Sequence, residues 1–236
     1  MRVINKSHLR AVTKVRYLHA QEALLSAALA GSLRQVCNGG EVASTIESRG
    51  ARTMIPESHP LRELFETLVG RHYAHEIGIR DPQIVAYVSQ LLAEFCDTEQ
   101  LYKIHDAFNR PLADVGEMLL ESDPVYGPAP SFDRERLVRK HIGDYTLFFA
   151  GMFPESINHI RLRRQRLENF IEWIKAGKES YYIVSKFEHF EYAKVAPMFA
   201  TLSRNFEGCV YGLNMVKNDL QEMQHPITRR ANDLIM

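Results

Sequence analysis

Residues 142–153, IGDYTLFFAGMF, form a twelve-residue segment in which Asp144 is the single charged residue. At about 100° per residue, a helix here would carry two apolar faces on opposite sides. The first face would hold Val138, Ile142, Tyr145, Phe149 and Met152, and the second Gly143, Leu147, Ala150 and Gly151. A helix that is apolar on both sides packs on both sides, so the segment predicts the central helix of an all-α core.

Asp144 is the residue in this segment that most needs an explanation. A buried carboxylate costs several kcal/mol unless it is paired, hydrogen-bonded or protonated. The structural interpretation is that Asp144 binds an Arg, a Tyr or a helix N-terminus on a neighbouring helix. The functional alternative is that Asp144 and His141, three residues apart, face a pocket as an acid–base or ligand-binding pair. These two residues are the candidate catalytic residues.

Helix start and stop signals recur along the rest of the chain. Start signals are Pro60, the Asp81–Pro82 pair, Pro111 and Asp133 as a helix cap, and stop signals are Gly78 and Gly177. Pro197 predicts a break between two helices in the final third. Together these signals predict an all-α, bundle-like globular domain of roughly eight to ten helices.

Three regions differ in pattern. Residues 1–38 predict an amphipathic N-terminal helix, residues 39–58 lack periodicity and predict a loop, and residues 59–236 predict a helical body on which the first helix packs. The early basic residues and the stretch ALLSAALAGSL also resemble a secretion signal. Glu22 and the late position of the apolar stretch favour a helix that stays in the chain.

Composition excludes several classes of function. Lys plus Arg and Asp plus Glu balance at 29 each, so no overall field favours nucleic acid or a membrane surface. The sequence lacks the glycine-rich turns of dinucleotide folds and P-loops and the GxSxG elbow of serine hydrolases, so no motif implies a cofactor. Cys37, Cys96 and Cys209 lie far apart, which favours a reducing cytoplasm, and no apolar stretch reaches the roughly 18 residues of a membrane span.

Two groups of residues could ligate a metal. His72, His75 and Glu76 would share one face of an α-helix, because residues three and four apart are neighbours there. Glu222 and His225 have the Glu-x-x-His spacing of di-iron bundles, although Pro226 follows directly and a second such pair is missing. The alternative for both groups is an ordinary polar helix end.

The basic run RLRRQR is a candidate anion-binding face. It contains Arg161, Arg163, Arg164 and Arg166. An arginine side chain can bind two oxygens of one phosphate at once. Aromatic residues for base stacking are missing, and Glu168 lies one helical turn after Arg164. A solvated helix face with internal ion pairs is therefore favoured over nucleic-acid binding.

Residues 139–155, RKHIGDYTLFFAGMFPE, resemble the signature of a family of uncharacterised bacterial proteins. The stretches VAYVSQLLAEF and PLADVGEMLLES extend the resemblance, which covers roughly residues 58–160. It implies a bacterial, cytoplasmic origin and says nothing of mechanism.

Two functional hypotheses follow. The first is a non-enzymatic helical protein that binds a protein partner or self-associates through an exposed helix face. The second is an all-α enzyme, or a small-ligand or metal-binding protein, with its site around Asp144 and His141.

Overall fold

The computed structural model describes residues 60–124, 127, 131–154, 157 and 170–233, without the side chains of residues 98, 190 and 224–233. The described residues from Pro60 to Glu222 belong to one compact unit. The predicted helix over residues 1–38 and the predicted loop over residues 39–58 lie outside the described residues.

Eight α-helices account for most of the described residues, which contain no β-strand. They are α1 (Pro60–His72), α2 (Pro82–Glu94), α3 (Thr98–Leu101), α4 (Val115–Glu121), α5 (Phe132–Met152), α6 (Phe170–Val184), α7 (Ala196–Arg204) and α8 (Phe206–Asp233). A π-helical turn (Tyr73–Ile77) extends α1, and a 3₁₀ turn (Phe190–Lys194) precedes α7. The all-α prediction is confirmed.

Helix α5 is the centre of this fold. Every residue from His141 to Met152 is buried, so the helix has no solvent-facing side over three turns. It packs along α6 and contacts α4, while α1 pairs with α2 and α6 with α7. The predicted central position of residues 142–153 is therefore confirmed, and it places Asp144 inside the protein.

Several helix start and stop signals lie at the helix boundaries that the sequence predicts. Gly78 ends the first helical segment in the left-handed conformation, with φ of 75°. Asp81 caps α2 by accepting a hydrogen bond from the main-chain N–H of Gln83 at 2.9 Å. Pro197 lies in the first turn of α7, where a missing N–H costs nothing.

Three other signals predict helix boundaries that the structure does not have. Ser131, and not Asp133, caps α5, because its hydroxyl accepts from the N–H of Arg134 at 3.2 Å. Pro111 does not start a helix: it pairs with His105 in an isolated bridge, and Asp114 caps α4. Gly177 lies inside α6, where a Cβ would collide with Thr146 and Phe206. The glycine there serves close packing and does not end the helix.

The π turn brings α8 close to the end of α1. Tyr73 is fully buried, and its hydroxyl donates to the main-chain oxygen of Cys209 on α8 at 3.1 Å. On the same helix, Gly212 lies against the side chains of Tyr73 and Ile77. In the part of the chain that the structure describes, no helix is long and apolar enough to cross a membrane.

Replacing Gly212 by alanine tests this close approach. An added Cβ would lie 2.7 Å from both Cε1 of Tyr73 and Cδ1 of Ile77, and the Tyr73 ring is fixed by its surroundings. We expect Gly212→Ala to lower the free energy of unfolding by about 1–3 kcal/mol in urea denaturation.

Gly70→Ala is the matched control, because a Cβ there would meet Val85 at 3.5 Å, an ordinary van der Waals distance. Alanine is preferred to glycine inside a helix by about 0.5–1 kcal/mol, so this variant should be more stable than wild type. Equal stabilisation by both substitutions would contradict the packing described for α8.

Candidate functional site

The Asp144 carboxylate lies at a junction of three helices. Its exposed fraction is 1%, and it receives hydrogen bonds from side chains on α2, α5 and α6. Oδ1 accepts from the hydroxyls of Tyr87 on α2 and Tyr181 on α6, the latter at 2.9 Å. Oδ2 accepts from Nζ of Lys140, one turn earlier on α5, at 2.7 Å. The structural interpretation predicts a partner on a neighbouring helix, and Tyr87 and Tyr181 are such partners. Lys140, on α5 itself, is a further partner that it does not predict.

Burial and the neighbouring charges change the pKa of Asp144 in opposite directions. Burial works to raise its pKa, but the positive charges of Lys140 and Lys103 and the hydrogen bonds from Lys140 and Tyr87 outweigh it, so the pKa lies below its ordinary value of 3.8. Asp144 is therefore ionised at neutral pH. An ionised carboxylate with three donors has little capacity left to take up a substrate proton.

The two tyrosines stay protonated. Burial is the main cause that raises the pKa of Tyr181 and of Tyr87 well above 10.0, and the negative charge of Asp144 raises both further. Each phenol therefore remains a hydrogen-bond donor across the physiological range. The ring of Tyr87 also lies 5.0 Å from Nζ of Lys140, a favourable cation–π arrangement.

Gly143 makes the contact from Tyr181 possible. The ring of Tyr181 lies across α5 at the place where a Cβ on residue 143 would be. With any larger residue at 143, the ring would have to move away and its hydroxyl would leave Asp144. The small-residue face of α5 thus positions the neighbouring polar contact.

His141 lies on the same helix but does not share the Asp144 contacts. It is fully buried, with ring centroids of Phe95 and Tyr145 at 5.8 and 5.9 Å. Neither ring nitrogen has a hydrogen-bond partner among the described residues. The main chain of Leu101 acts on the ring and raises the pKa of His141, without a hydrogen bond of ordinary geometry. The predicted Asp144–His141 pair is therefore close in space and not joined.

The protonation state of His141 follows from its surroundings. Burial lowers its pKa from 6.5 to about 3, the charges of Lys103 and Lys140 lower it, and Asp144 acts in the opposite direction. The imidazole is neutral at pH 7, with one N–H donor and one acceptor nitrogen.

The remaining candidates lie elsewhere. His72 contacts Asp219 of α8 at 2.6 Å, an aspartate that also binds Arg71, while His75 and Glu76 are exposed on the π turn. A π turn holds more residues than an α turn, so the spacing that would align these three side chains is lost. Within the described ranges no three His, Cys, Asp or Glu side chains come together as a metal site requires.

Two further groups are placed only in part. Glu222 is exposed on α8, whereas the side chain of His225 lies outside the described residues, as do Arg161, Arg163, Arg164 and Arg166. The metal and anion predictions for these residues stay predictions.

Of the cysteines, Cys96 and Cys209 have their thiol pKa raised to about 12 by burial, which leaves the thiols protonated at neutral pH.

Sequence reasoning missed Tyr87, Tyr181, Lys103 and Lys140. Lys140 could have been found, since it lies four residues before Asp144 and so faces it on a helix. The tyrosines and Lys103 come from other elements, and no local pattern connects them to residue 144.

No protein-family model, curated protein or solved structure matches this chain. The resemblance of residues 139–155 to a bacterial signature therefore stays a prediction.

Removing the Tyr181 hydroxyl tests the junction. We expect Tyr181→Phe to lower the free energy of unfolding by about 1–2 kcal/mol, because a buried carboxylate oxygen loses a donor while the ring packing is kept. Urea denaturation of Tyr211→Phe provides the control: Tyr211 lies on α8 with half of its surface exposed, so its change should stay within about 0.5 kcal/mol. Equal effects of the two substitutions would argue against a structural role of the Asp144 contacts.

The buried neutral imidazole predicts acid lability. The unfolded chain takes up a proton at His141 near pH 6.5, whereas the folded chain does so only at about pH 3. Protonation therefore favours unfolding, and the stability present above pH 6.5 should fall by about 1.4 kcal/mol per pH unit as the pH drops through this window. Asp144, whose folded pKa is below 3.8, adds its own loss only below that pH.

His141→Phe should remove the higher-pH part of this loss. The measurement is the urea midpoint from pH 7 to pH 4 for wild type and variant. Parallel curves would show that His141 does not carry the dependence.

Proposed function

We propose that the protein is a non-enzymatic, cytoplasmic protein of bacterial origin that acts by binding protein, in the first instance a second copy of itself. The observation that carries the proposal is Phe108, whose side chain is 83% exposed at the tip of a closed loop. Large aromatic residues on preorganised surfaces are the usual anchors of protein interfaces.

The loop that carries Phe108 is held by Asp106. Oδ1 of Asp106 accepts from the main-chain N–H groups of Phe108 and Arg110, both at 2.9 Å, and its carboxylate also pairs with the Arg110 guanidinium. Asn109 takes the left-handed conformation, with φ of 57°. The His105–Pro111 bridge closes the base of the loop. Because the loop is already ordered, little conformational entropy would be lost when Phe108 is buried by a partner.

Three other exposed apolar side chains lie on the elements that meet near this loop. Arg134 joins three elements there: it lies in the first turn of α5 and donates to the main-chain oxygen of His105 at 3.0 Å and to Glu121 of α4 at 3.3 Å. Phe108, Leu120, Phe132 and Leu137 each lie within three residues of one of these groups. Leu120 and Phe132 are each 69% exposed and Leu137 is 48% exposed. We call these four residues the Phe108 surface.

A second copy is the favoured occupant because of charge. The chain has equal numbers of acidic and basic residues, so two copies do not repel each other at a distance. An apolar surface shared by both copies can then bury itself in a symmetric contact.

The alternative is an all-α enzyme, or a small-ligand or metal-binding protein, with a site around Asp144 and His141. The contacts of Asp144 favour a structural role for that residue, since both oxygens are already hydrogen-bonded. His141 keeps the alternative open for a ligand, because its ring nitrogens are free of hydrogen bonds to the described residues.

Sedimentation velocity over a range of concentrations tests the proposal. We expect wild type to self-associate and Phe108→Ala to weaken the association constant at least about tenfold, the loss typical of an aromatic anchor. Because Phe108 makes few contacts within the chain, the thermal midpoint should be unchanged.

Ile171→Ala is the control, because Ile171 on α6 is 61% exposed and lies outside the Phe108 surface. Its association should match wild type. The proposal of self-association is wrong if wild type remains monomeric at the highest concentration, or if both substitutions act equally.

A further inference from the structure

Two opposite charges flank the Phe108 surface. Among the described residues of 103–140, Arg110 is the one exposed basic side chain and Asp133 the one exposed acidic side chain. The Arg110 side chain is 71% exposed, and its guanidinium carbon lies 5.8 Å from the ring centroid of Phe108. Asp133 directly follows Phe132 in the first turn of α5. We call Phe108 with Arg110 the basic half of this surface, and Phe132 with Asp133 its acidic half.

The basic half and the acidic half lie on neighbouring elements of one chain. Arg134, in the first turn of α5, donates to the main-chain oxygen of His105 at 3.0 Å. His105 lies at the base of the loop that carries the basic half. Each half thus combines one exposed aromatic ring with one exposed charge, and the two charges have opposite signs.

Both charges keep binding capacity after their contacts within the chain. Asp106 accepts from Nε of Arg110 at 2.7 Å and pairs with one terminal nitrogen, so the N–H groups of the other terminal nitrogen have no partner among the described residues. Oδ1 of Asp133 accepts from the hydroxyl of Tyr192 at 3.4 Å. The second oxygen of Asp133 binds no described residue.

Symmetry brings unlike halves together. In a twofold contact, a residue i of one copy meets a residue j of the other copy, and j meets i in return. Contact of basic half with basic half would place like charges face to face, which costs affinity, whereas contact of basic half with acidic half pairs opposite charges twice.

We propose that Arg110 of each copy forms an ion pair with Asp133 of the other copy, while Phe108 packs against Phe132 of the other copy. This inference rests on the self-association proposed above and names the residues that meet in it. The rings supply most of the affinity, and the ion pairs set the orientation of the two copies. Exposed ion pairs are individually weak, so we expect each pair to raise the association constant about threefold, and the two pairs together about tenfold.

Sedimentation velocity of the full-length protein at constant ionic strength provides the test. Arg110→Gln and Asp133→Asn each remove both ion pairs from a dimer of identical chains, so each variant alone should associate about tenfold more weakly than wild type. The loop that carries Phe108 should persist in Arg110→Gln, because Asp106 also accepts from the main-chain N–H groups of Phe108 and Arg110.

Mixing the two variants distinguishes pairing between copies from any other effect. A mixed dimer keeps one ion pair, between Arg110 of the Asp133→Asn chain and Asp133 of the Arg110→Gln chain. With one chain fluorescently labelled, the mixed dimer should associate about threefold more tightly than either variant alone. The double variant should be no weaker than the single variants, because each single change already removes the same pairs.

A matched pair of variants on α6 controls for net charge. Lys175→Gln and Glu179→Gln change the charge of the chain by the same amounts at exposed positions outside the Phe108 surface. Each variant alone and the mixture of both should associate like wild type. A gain in this control mixture equal to the gain in the test mixture would assign the effect to general attraction between unlike chains, and would overturn the proposal.

Two further results would overturn it. They are a mixed dimer no tighter than the dimers of either variant, and a double variant weakened about hundredfold, the product of independent losses. When wild type associates, Phe108→Ala weakens the association and mixing brings no gain, the ion pairs alone are wrong. A wild type that stays monomeric contradicts both the pairing and the self-association.

Discussion

The fold depends on one ionised carboxylate in its interior. Asp144 would be expensive to bury alone, and its cost is offset because three helices each supply a donor to it. The contacts work in both directions: the carboxylate orders Tyr87, Tyr181 and Lys140, and these residues in turn fix how α2 and α6 lie on α5. Apolar packing alone tolerates sliding between helices, whereas a shared carboxylate specifies one register. We regard this specification of register as the reason for a charge on an otherwise apolar helix.

His141 and Asp144 lie three positions apart on α5 but differ in hydrogen bonding and in charge. Asp144 is fully hydrogen-bonded and charged, while His141 is unpaired and neutral. The difference comes from what each residue faces: tyrosines and a lysine around Asp144, aromatic rings and main chain around His141. The same helix therefore carries one polar residue that ties helices together and one that has no hydrogen bond of ordinary geometry.

Much of the fold could be predicted from the sequence, because the all-α class, the central helix and several helix caps depend on local patterns. Pro197, Asp81 and Gly78 each act within one turn of their own position. The predictions that Gly177 ends a helix and that Asp133 caps one were wrong for physical reasons. A glycine is used equally to end a helix and to let another helix approach, and Ser131 could cap α5 two residues before Asp133. The tyrosine partners of Asp144 could be predicted only by residue type, since Tyr87 and Tyr181 are 57 and 37 residues distant in sequence.

The π turn after α1 has a consequence for how the chain tolerates changes in length. A π turn holds about one residue more than an α turn, so one residue within it is extra to the α-helical repeat. Deleting one of the three residues between Tyr73 and Ile77 would leave those two residues three apart in an α turn, a spacing that keeps them on the same helix face. Tyr73 and Ile77 would then both still face Gly212 of α8. The segment is thus a position at which the chain can become one residue shorter and keep this contact with α8.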